Sequence, residues 1–456
     1  MSLLQSLPVY FFIALTVFVF LIWESLSRLR ESWSRPAVAV YATVAAWYMG
    51  DLVYNGPDHF FRTFTPRIID QAILEVCLFL IAFRVFISIG LQRYMQDDHV
   101  SNELDHLPVH VEETLFKSVV FAWAGVTIIG LFRLNGDIMS IIFPPLSDNP
   151  ASPWGRAAVG SGLDFLVSFA AFFHMGTIGI IGVFVAIGRS FDLRKMAFVV
   201  FVIAIQPYLF QSARNQILAV CMPGILAYIL IAGDSVWRKA AITTALFIAL
   251  SAWFTVITGF RNEGSKAITG AFSSAARGET AERGARSEKH LGLDMATELC
   301  YINQFIKDRS YTENWGERYL AEITVVIPRT FWKKKPLLGI DYAVARGFGG
   351  GKNDHGVHAT IATGMIGQGV VNFGRVLGPI CAAGLMACWV GILSRLWCQR
   401  GSPQRLALFL LGLALTFNMG RDITLLVLFP FVISYILVVF YEHRTGTQPA
   451  VVKFNP

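Results

Sequence analysis

Long hydrophobic runs recur along almost the whole chain, and they restrict it to one broad class of fold. Of the 456 residues, 54% are hydrophobic and 15% are charged, whereas soluble domains carry roughly 25% charged residues. A helix needs about 20 apolar residues to cross a bilayer. The pattern predicts an all-α, polytopic membrane protein with about eleven transmembrane helices, near 8–26, 37–54, 70–91, 114–133, 163–188, 195–212, 215–232, 237–259, 376–397, 404–420 and 423–441.

The basic residues that flank these runs predict their orientation. Alternate loops on one side hold clusters such as Arg28, Arg30 and Arg35, whereas short loops on the other side hold isolated residues such as Arg214. Because Lys and Arg concentrate in cytoplasmic loops, we predict an external N-terminus and a cytoplasmic C-terminus. No Lys or Arg precedes the first run and an Arg cluster follows it, so we interpret this run as a span and not as a cleaved signal peptide.

One long polar segment interrupts the hydrophobic runs and divides the chain into regions. We predict a transmembrane bundle over 1–260, a large loop with amphipathic helices and a re-entrant segment over 261–375, further spans over 376–441 and a tail over 442–456. The predicted topology places the large loop outside the cytoplasm. A reaction there cannot use cytoplasmic ATP or nucleotide sugars, so its energy must be stored in the substrate.

Two stretches of the large loop have helical periodicity. Leu299, Ile302 and Phe305 recur at helical spacing, and a similar pattern runs from Tyr319 until Pro328 ends it. We expect the first helix to lie on the membrane surface or to cap a cavity. Three lysines follow the aromatic pair at 331–332, which is typical of an interfacial anchor.

Four arginines of the predicted external face could bind one anionic group. Arg214, Arg261 and Arg421 lie at the ends of separate hydrophobic runs, and Arg329 lies in the large loop. Guanidinium groups form paired hydrogen bonds with phosphate oxygens, so this set is suited to a diphosphate at the membrane surface. The alternative is that each arginine only extends its side chain to water.

Two histidines near the end of the large loop are candidate general bases. His355 and His358 precede a weakly apolar stretch that either dips into the membrane or forms a short helix. An imidazole accepts a proton near neutral pH. Asp354 and Glu263 are rival bases, and local hydrogen bonds in the loop are the structural alternative for both histidines.

Other motifs yield no cofactor site. The glycine-rich segment at 347–353 lacks the glycine and the hydroxyl residue of a phosphate-binding loop. Acidic residues and histidines cluster over 97–113, but Pro108 interrupts the helix that would align them, which favours a solvated loop. No metal, cofactor or nucleic acid is predicted. Within the spans, His174 and Arg84 are candidates for a functional role because polar groups are costly there.

Several motifs taken together resemble one family. The turn at 212–215, the YLAEITVVIPRTFWKKKP block at 319–336, the GQGVVNFGRVLG segment at 367–378 and the late Arg421 are similar to those of bacterial O-antigen or oligosaccharide repeat-unit polymerases of the Wzy type, including enterobacterial common antigen polymerases. The resemblance covers roughly 200–440. Lys333 stands where the family often has proline, and Gln368 and Gly369 stand where many members have an acidic residue.

This resemblance implies a GT-C-like glycosyltransferase of the bacterial inner membrane, with a periplasmic N-terminus. Such an enzyme transfers a glycan from undecaprenyl diphosphate to the terminal sugar of a second undecaprenyl-diphosphate-linked repeat unit, with inversion and without metal. His355, His358 and Arg261 would be catalytic. The implied partners are the lipid-linked donor and acceptor, membrane lipid and a chain-length regulator protein. Polar residues in the same motifs are predicted to contact substrate: Asn215, Tyr319, Lys335 and Asp422.

Three alternative functions fit the same hydrophobic pattern. A ligase would transfer the glycan to lipid A-core by the same chemistry. A flippase for lipid-linked oligosaccharides would be expected to show internal repeats with polar breaks at mid-membrane, and none is evident in the sequence. A scaffolding subunit would leave the clustered external arginines without a role.

Overall fold

The computed structural model describes residues 8–54, 56–90, 109–144, 154, 164–210, 214–259, 294–324, 327, 331–332, 340–347 and 361–446. All regular elements in these ranges are helices. They are α1 (Val9–Ser27), α2 (Ser34–Val44), a π-helical turn (Ala45–Met49), α3 (Gly50–Tyr54), α4 (Pro57–Thr63), α5 (Pro66–Gly90), α6 (Val109–Arg133), α7 (Met139–Ile142), α8 (Asp164–Ile187), α9 (Phe191–Leu209), α10 (Arg214–Ile231), α11 (Val236–Gly259), α12 (Met295–Lys307), α13 (Glu317–Ile323), α14 (Ile340–Ala345), α15 (Met365–Cys398), α16 (Pro403–Met419) and α17 (Leu425–Thr445).

Among the described residues, 7 helices are long and apolar enough to cross a membrane, so the chain is a multi-pass membrane protein. They are Val9–Ser27, Ser34–Val53, Pro66–Gly90, Glu112–Arg133, Phe169–Ile187, Met365–Cys398 and Val427–Thr445. The other predicted runs are also helical and correspond to α9, α10, α11 and α16. The count of eleven spans and the GT-C-like arrangement stay predictions.

Helix α15 is two helices that meet at a reversal of the chain. Gly374 has φ 77° and ψ −178°, a backbone conformation outside the helical range. Although a straight helix would separate Gly369 from Gly378 by roughly 13 Å, their backbones touch. We call residues 365–373 the short arm and residues 375–398 the long arm. The long arm coincides with the predicted span near 376–397, and the short arm is the predicted short helix that precedes it.

The two ends of the helical bundle are defined by α1. At the end where α1 begins, Phe11 and Ala14 approach the π-helical turn, α3 and the first half of α5. At the opposite end, where α1 finishes, Glu24 forms an ion pair with Arg84 of α5. The α16–α17 turn and the short arm of α15 lie at the first end, because Trp47 donates a hydrogen bond to the carbonyl of Phe417 there. We call this the α1-start end.

The predicted helix of the large loop is present as α12, but it lies inside the bundle and not on its surface. It packs against α3, α5 and α15. Its polar side chains find partners on the spanning helices: Asp51 accepts hydrogen bonds from the backbone and hydroxyl of Thr297 at 2.8 and 3.0 Å, and Glu75 accepts one from Asn303 at 2.8 Å. These bonds offset the cost of burying polar groups. The amphipathic pattern allowed two positions for this helix, on the membrane surface or over a cavity. Burial against the spanning helices disagrees with the first, and the second stays a prediction.

Candidate functional site

Three ionisable side chains meet at the α1-start end, where α13 approaches the turn between α16 and α17. Arg318 and Glu322 come from α13 and are 4% and 7% exposed. Asp422 comes from the turn, and one of its carboxylate oxygens lies 3.9 Å from a terminal nitrogen of Arg318. A buried charge is costly unless it is paired or has a function. We call Arg318, Glu322 and Asp422 the Arg318 cluster.

Local sequence fixes both elements of the cluster. Gly316 immediately precedes α13 with φ 90°, a left-handed conformation that glycine adopts without strain. Helix α17 begins at a cap, because the Thr424 hydroxyl accepts a hydrogen bond from the backbone N–H of Val427 at 3.1 Å. The turn between Met419 and Thr424 is short, so Asp422 has a defined position.

Asp422 also holds the entry to the short arm of α15. The same carboxylate oxygen accepts hydrogen bonds from the backbone N–H of Thr363 at 3.2 Å and from its hydroxyl at 3.0 Å. Burial raises the pKa of Asp422, while Arg318 and the two bonds from Thr363 oppose that shift. Asp422 is therefore both an anchor for the short arm and the negative partner of Arg318.

Glu322 is the carboxylate of the cluster that has an unpaired oxygen within the described structure. Its Oε2 atom is buried and has no hydrogen-bond partner among the described residues. Burial, and then the neighbouring Asp422 carboxylate, raise the pKa of Glu322 to about 8, although Arg318 acts in the opposite direction. A carboxyl group with a pKa in this range exchanges a proton near neutral pH, which is the property of a general acid or base.

Further buried donors in the cluster lack partners within the described part of the chain. They are the Nε and Nη1 atoms of Arg318 and the hydroxyl of Tyr319. Most buried polar groups in native proteins form hydrogen bonds, so several unpaired groups at one location indicate a place where a polar ligand or water binds. Burial also raises the pKa of the Tyr319 hydroxyl, which keeps it protonated as a donor.

The short arm of α15 contacts both elements that carry the cluster. The Gln368 side chain bonds the backbone N–H and C=O of Ile423 at 2.9 and 3.1 Å. Asn372 accepts a weak bond from the backbone N–H of Tyr319 at 3.4 Å, and the Tyr319 ring stacks on Phe373. The arm thus joins α13 to the α16–α17 turn, and the two elements that carry the cluster cannot move apart independently.

Two other buried polar groups hold the loop helices, one against the bundle and one against each other. In one, the backbone carbonyl of Asn303 accepts a bond from Arg375 at 2.8 Å, and the Asn303 side chain bonds Glu75 of α5. In the other, Glu298 of α12 forms paired hydrogen bonds with Arg346 at 2.9 and 3.0 Å. Asn303 Oδ1 and Arg375 Nε have no hydrogen-bond partner among the described residues. We nevertheless interpret both groups as structural, because their bonds join one helix to another.

An apolar groove lies beside the cluster. Tyr48 lines the groove, and its hydroxyl accepts a hydrogen bond from the backbone N–H of Ile366, in the short arm of α15, at 2.9 Å. The groove is formed by α1, the π-helical turn, α3, α4, α5 and α12. Its lining residues are Phe11, Ala14, Tyr48, Met49, Leu52, Phe60, Ile69, Ala72, Ile73, Val76, Ala296, Leu299 and Cys300.

Some of the predicted site residues belong to this region. Asp422 is in the cluster, Tyr319 lies next to Arg318, and Arg421 is exposed beside Asp422. Arg214 and Asn215 occupy the first turn of α10, for which only the backbone is described. The remaining predicted residues lie outside the described ranges: Arg261, Arg329, Lys335, His355 and His358, together with the rival bases Glu263 and Asp354 and residues 97–106 of the acidic and histidine-containing loop.

The polar residues within the predicted spans have structural partners. His174 of α8 lies 2.7 Å from the Tyr208 hydroxyl through Nδ1 and 3.1 Å from the Thr127 hydroxyl through Nε2. Arg84 forms two hydrogen bonds with Glu24, at 2.5 and 2.8 Å, and bonds Ser88. Both residues join neighbouring helices, so their burial needs no functional explanation.

Sequence reasoning missed Arg318 and Glu322 although Arg318 adjoins the motif at 319–336 and Glu322 lies within it. The signal was their spacing: a base and an acid four residues apart lie on one face of a helix. Helical periodicity alone would turn that face to solvent, because the apolar residues of the same stretch define the opposite face. Since α13 packs against both α15 and α17, the charged face is the buried one, whereas Leu320 and Ile323 of the apolar face are exposed.

No group of three or more His, Cys, Asp or Glu among the described residues could hold a metal ion. Comparison of the chain with protein-family models, with characterised proteins and with solved structures finds no match.

Proposed function

We propose that this protein polymerises lipid-linked oligosaccharide repeat units on the outer face of a bacterial inner membrane. The glycan would move from undecaprenyl diphosphate to the terminal sugar of a second lipid-linked repeat unit. The observation that carries the proposal is the Arg318 cluster, in which buried donors and a carboxyl group lack partners within the described residues. Such a cluster at one end of a membrane bundle suits a polar headgroup and a proton-transfer step.

The apolar groove supports a substrate that has a lipid tail. Tyr48 belongs to the lining of the groove and also bonds the short arm of α15, and all other lining residues are apolar or small. A lipid-linked glycan needs these two environments side by side, because its tail is hydrocarbon and its headgroup is polar. A substrate without a lipid tail would have no use for the groove.

The predicted topology supports the outer face as the location. The bundle end opposite the cluster carries Arg28, Arg35, Arg400, Arg405 and Arg444 near the ends of α1, α2, α15, α16 and α17. Such basic clusters are typical of cytoplasmic loops. The Arg318 cluster would then face the compartment in which lipid-linked repeat units are joined.

The proposed reaction needs cations that bind the diphosphate and a base that accepts a proton. Arg214, Arg261, Arg329 and Arg421 would bind the diphosphate and neutralise the charge that develops as it leaves, with each contact worth on the order of 3 kcal/mol. A base must accept the proton of the acceptor hydroxyl, and His355 and His358 are the candidates predicted from the sequence. The large loop would exclude water, because hydrolysis competes with transfer.

Reconstitution tests this function directly. Purified protein in liposomes is supplied with an undecaprenyl-diphosphate oligosaccharide alone, and the products are sized. The proposal predicts a ladder of lengths. Transfer only after lipid A-core is added would identify a ligase instead. Movement of the oligosaccharide across the bilayer without lengthening would identify a flippase, and no reaction in any arm would contradict all three.

Replacing each histidine separately tests its predicted role in the same assay. His355→Gln or His358→Gln should abolish the ladder if that residue is the base. Activity retained in both variants would exclude the histidines and leave a carboxylate as the proton acceptor.

A further inference from the structure

We propose that Glu322 is the general base of this reaction and that Arg318 positions the acceptor sugar beside it. The inference rests on the proposed function, and it assigns the proton acceptor to a residue of the 319–336 motif for which the sequence predicted no role in the site. It is carried by the arrangement of three side chains from two elements. Among the described residues, one carboxylate oxygen of Glu322 and two nitrogens of Arg318 have no partner. The carboxylate of Asp422 is already bonded.

The net charge of the cluster fits a sugar hydroxyl better than a diphosphate. One guanidinium and two carboxyl groups sum to −1 when both acids are ionised and to zero when Glu322 is protonated. A diphosphate would meet repulsion from Asp422 and Glu322. A neutral acceptor hydroxyl would instead find donors on Arg318 and an acceptor on Glu322, which is the set that a hydroxyl can satisfy.

The two carboxylates have different environments and therefore different roles. Oδ1 of Asp422 accepts two hydrogen bonds from Thr363 and lies near Arg318, so this oxygen is engaged in holding the fold. Glu322 Oε2 has no such bond. Two acids in one site whose environments separate their proton affinities are typical of acid–base catalysis.

The proton balance of the step is simple. The acceptor hydroxyl gives its proton to Glu322 Oε2 while its oxygen forms a bond to the anomeric carbon of the donor. The bond from that carbon to the diphosphate oxygen breaks, and its electron pair leaves with the diphosphate. Glu322 then releases the proton to water, so no metal or redox partner takes part.

The surroundings of Glu322 predict how the rate depends on pH. The charged groups that act on it are Asp422 from the α16–α17 turn and Arg318 from its own helix. The short arm of α15 faces α13 with the neutral side chains of Asn372 and Phe373, and the first turn of α17 (425–428) has no ionisable residue. Because the pKa of Glu322 is raised to about 8, the ionised base becomes more abundant as pH rises towards 8.

The test compares Glu322→Gln with a matched control on the same helix, Glu317→Gln, whose side chain is exposed. Both variants are reconstituted with an undecaprenyl-diphosphate oligosaccharide, and initial rates are measured between pH 6 and pH 9. We expect Glu322→Gln to lower kcat by roughly 100-fold or more, to change the KM for the donor by less than about 3-fold, and to abolish the rise of rate with pH. The control should keep the wild-type rate and profile.

The outcomes separate this inference from the function on which it rests. A wild-type protein that forms no ladder contradicts the proposed function and the role of Glu322 with it. A wild-type ladder with an unchanged rate in Glu322→Gln contradicts the role of Glu322 alone. If Glu322→Gln does not fold, Glu322→Asp is the deciding variant. A slower rate whose rise with pH is displaced supports Glu322 as the base. A wild-type rate with the wild-type pH dependence contradicts that role.

Discussion

The backbones of Gly369 and Gly378 are in direct contact although nine positions separate them in the chain. A side chain on Gly378 would overlap the carbonyl group of Gly369. This contact closes the two arms of α15 on each other, with the reversal at Gly374 between them. The short arm then reaches the α16–α17 turn, where Gln368 bonds Ile423, and so the contact determines the position of Asp422.

Adding one methyl group at this contact should destabilise the protein. Gly378→Ala forces the two arms apart, and overpacking of this kind costs about 1–3 kcal/mol. The matched control is Gly384→Ala on the same long arm, where the new Cβ would lie 3.6 Å from the Phe86 ring and where alanine favours the helix by up to roughly 1 kcal/mol. Thermal unfolding in detergent should show a lower Tm for Gly378→Ala only. Equal Tm values would contradict the close packing of the arms.

The raised pKa of Glu322 predicts how stability depends on pH. Between the ordinary value of 4.5 and the folded value of about 8, the folded state holds more protons than the unfolded state. Unfolding therefore releases protons in this window, and the free energy of unfolding falls as pH rises through it, by at most roughly 5 kcal/mol. Above about pH 8 this contribution is constant. Glu322→Gln removes it.

Unfolding curves measured from pH 5 to pH 9 test this dependence. Glu322→Gln should give a flatter profile than the wild type and a higher stability at pH 8. The exposed Glu317→Gln on the same helix serves as the control and should keep the wild-type slope. Parallel profiles for wild type and Glu322→Gln would show that Glu322 is not shifted as the structure indicates.

His174 and Tyr208 should be energetically coupled. Their side chains lie 2.7 Å apart between α8 and α9, so a double-mutant cycle with His174→Phe and Tyr208→Phe should give a coupling energy of about 1 kcal/mol. Each folded variant should also keep polymerisation within about 2-fold of the wild type, because we assign His174 a structural role. A coupling energy of zero would argue against the bond. A loss of activity without a loss of stability would instead indicate that His174 acts in function.

Replacing Arg84 also tests whether a polar residue within a predicted span has a structural or a functional role. Its two bonds to Glu24 join α5 to α1, so Arg84→Met leaves a largely buried carboxylate without its cation and should lower stability by roughly 1–3 kcal/mol. The companion variant Glu24→Gln with Arg84→Met removes both charges and should recover part of the loss. Activity per folded molecule should be unchanged in both. Full stability in Arg84→Met would show that the pair contributes nothing.

The lengths of the hydrophobic runs predict much of the fold, but they predict less of the candidate site. Each predicted run corresponds to a helix because about 20 apolar residues can satisfy their backbone groups in a bilayer only as a helix. The position of α12 does not follow from its own pattern, since partners for Glu298 and Asn303 come from distant elements, Arg346 and Glu75. Periodicity defines the apolar face of a helix and says nothing about what covers the polar face.

The same limit explains why the sequence predicted only part of the candidate site. Asp422 and Tyr319 could be named because they belong to motifs, but the link between them depends on the reversal at Gly374. A single glycine in an apolar run does not indicate a reversal by itself. Arg318 and Glu322 were identifiable only once the turn at 420–424 was known to pack over α13.

Replacing Arg421 tests whether this residue binds the diphosphate or is only a surface charge. It is exposed beside Asp422, so it can reach a headgroup outside the Arg318 cluster. Arg421→Lys keeps the charge but removes the paired geometry for phosphate oxygens, and we expect it to lower kcat/KM for the lipid-linked donor by roughly 10–100-fold. The matched control is Arg62→Lys, an exposed arginine on α4 at the same end of the bundle, which should stay at the wild-type value. Initial rates at several donor concentrations measure both. Equal values for the two variants would contradict a clamp at Arg421, whereas a selective loss that disappears with a donor lacking one phosphate would tie Arg421 to the diphosphate.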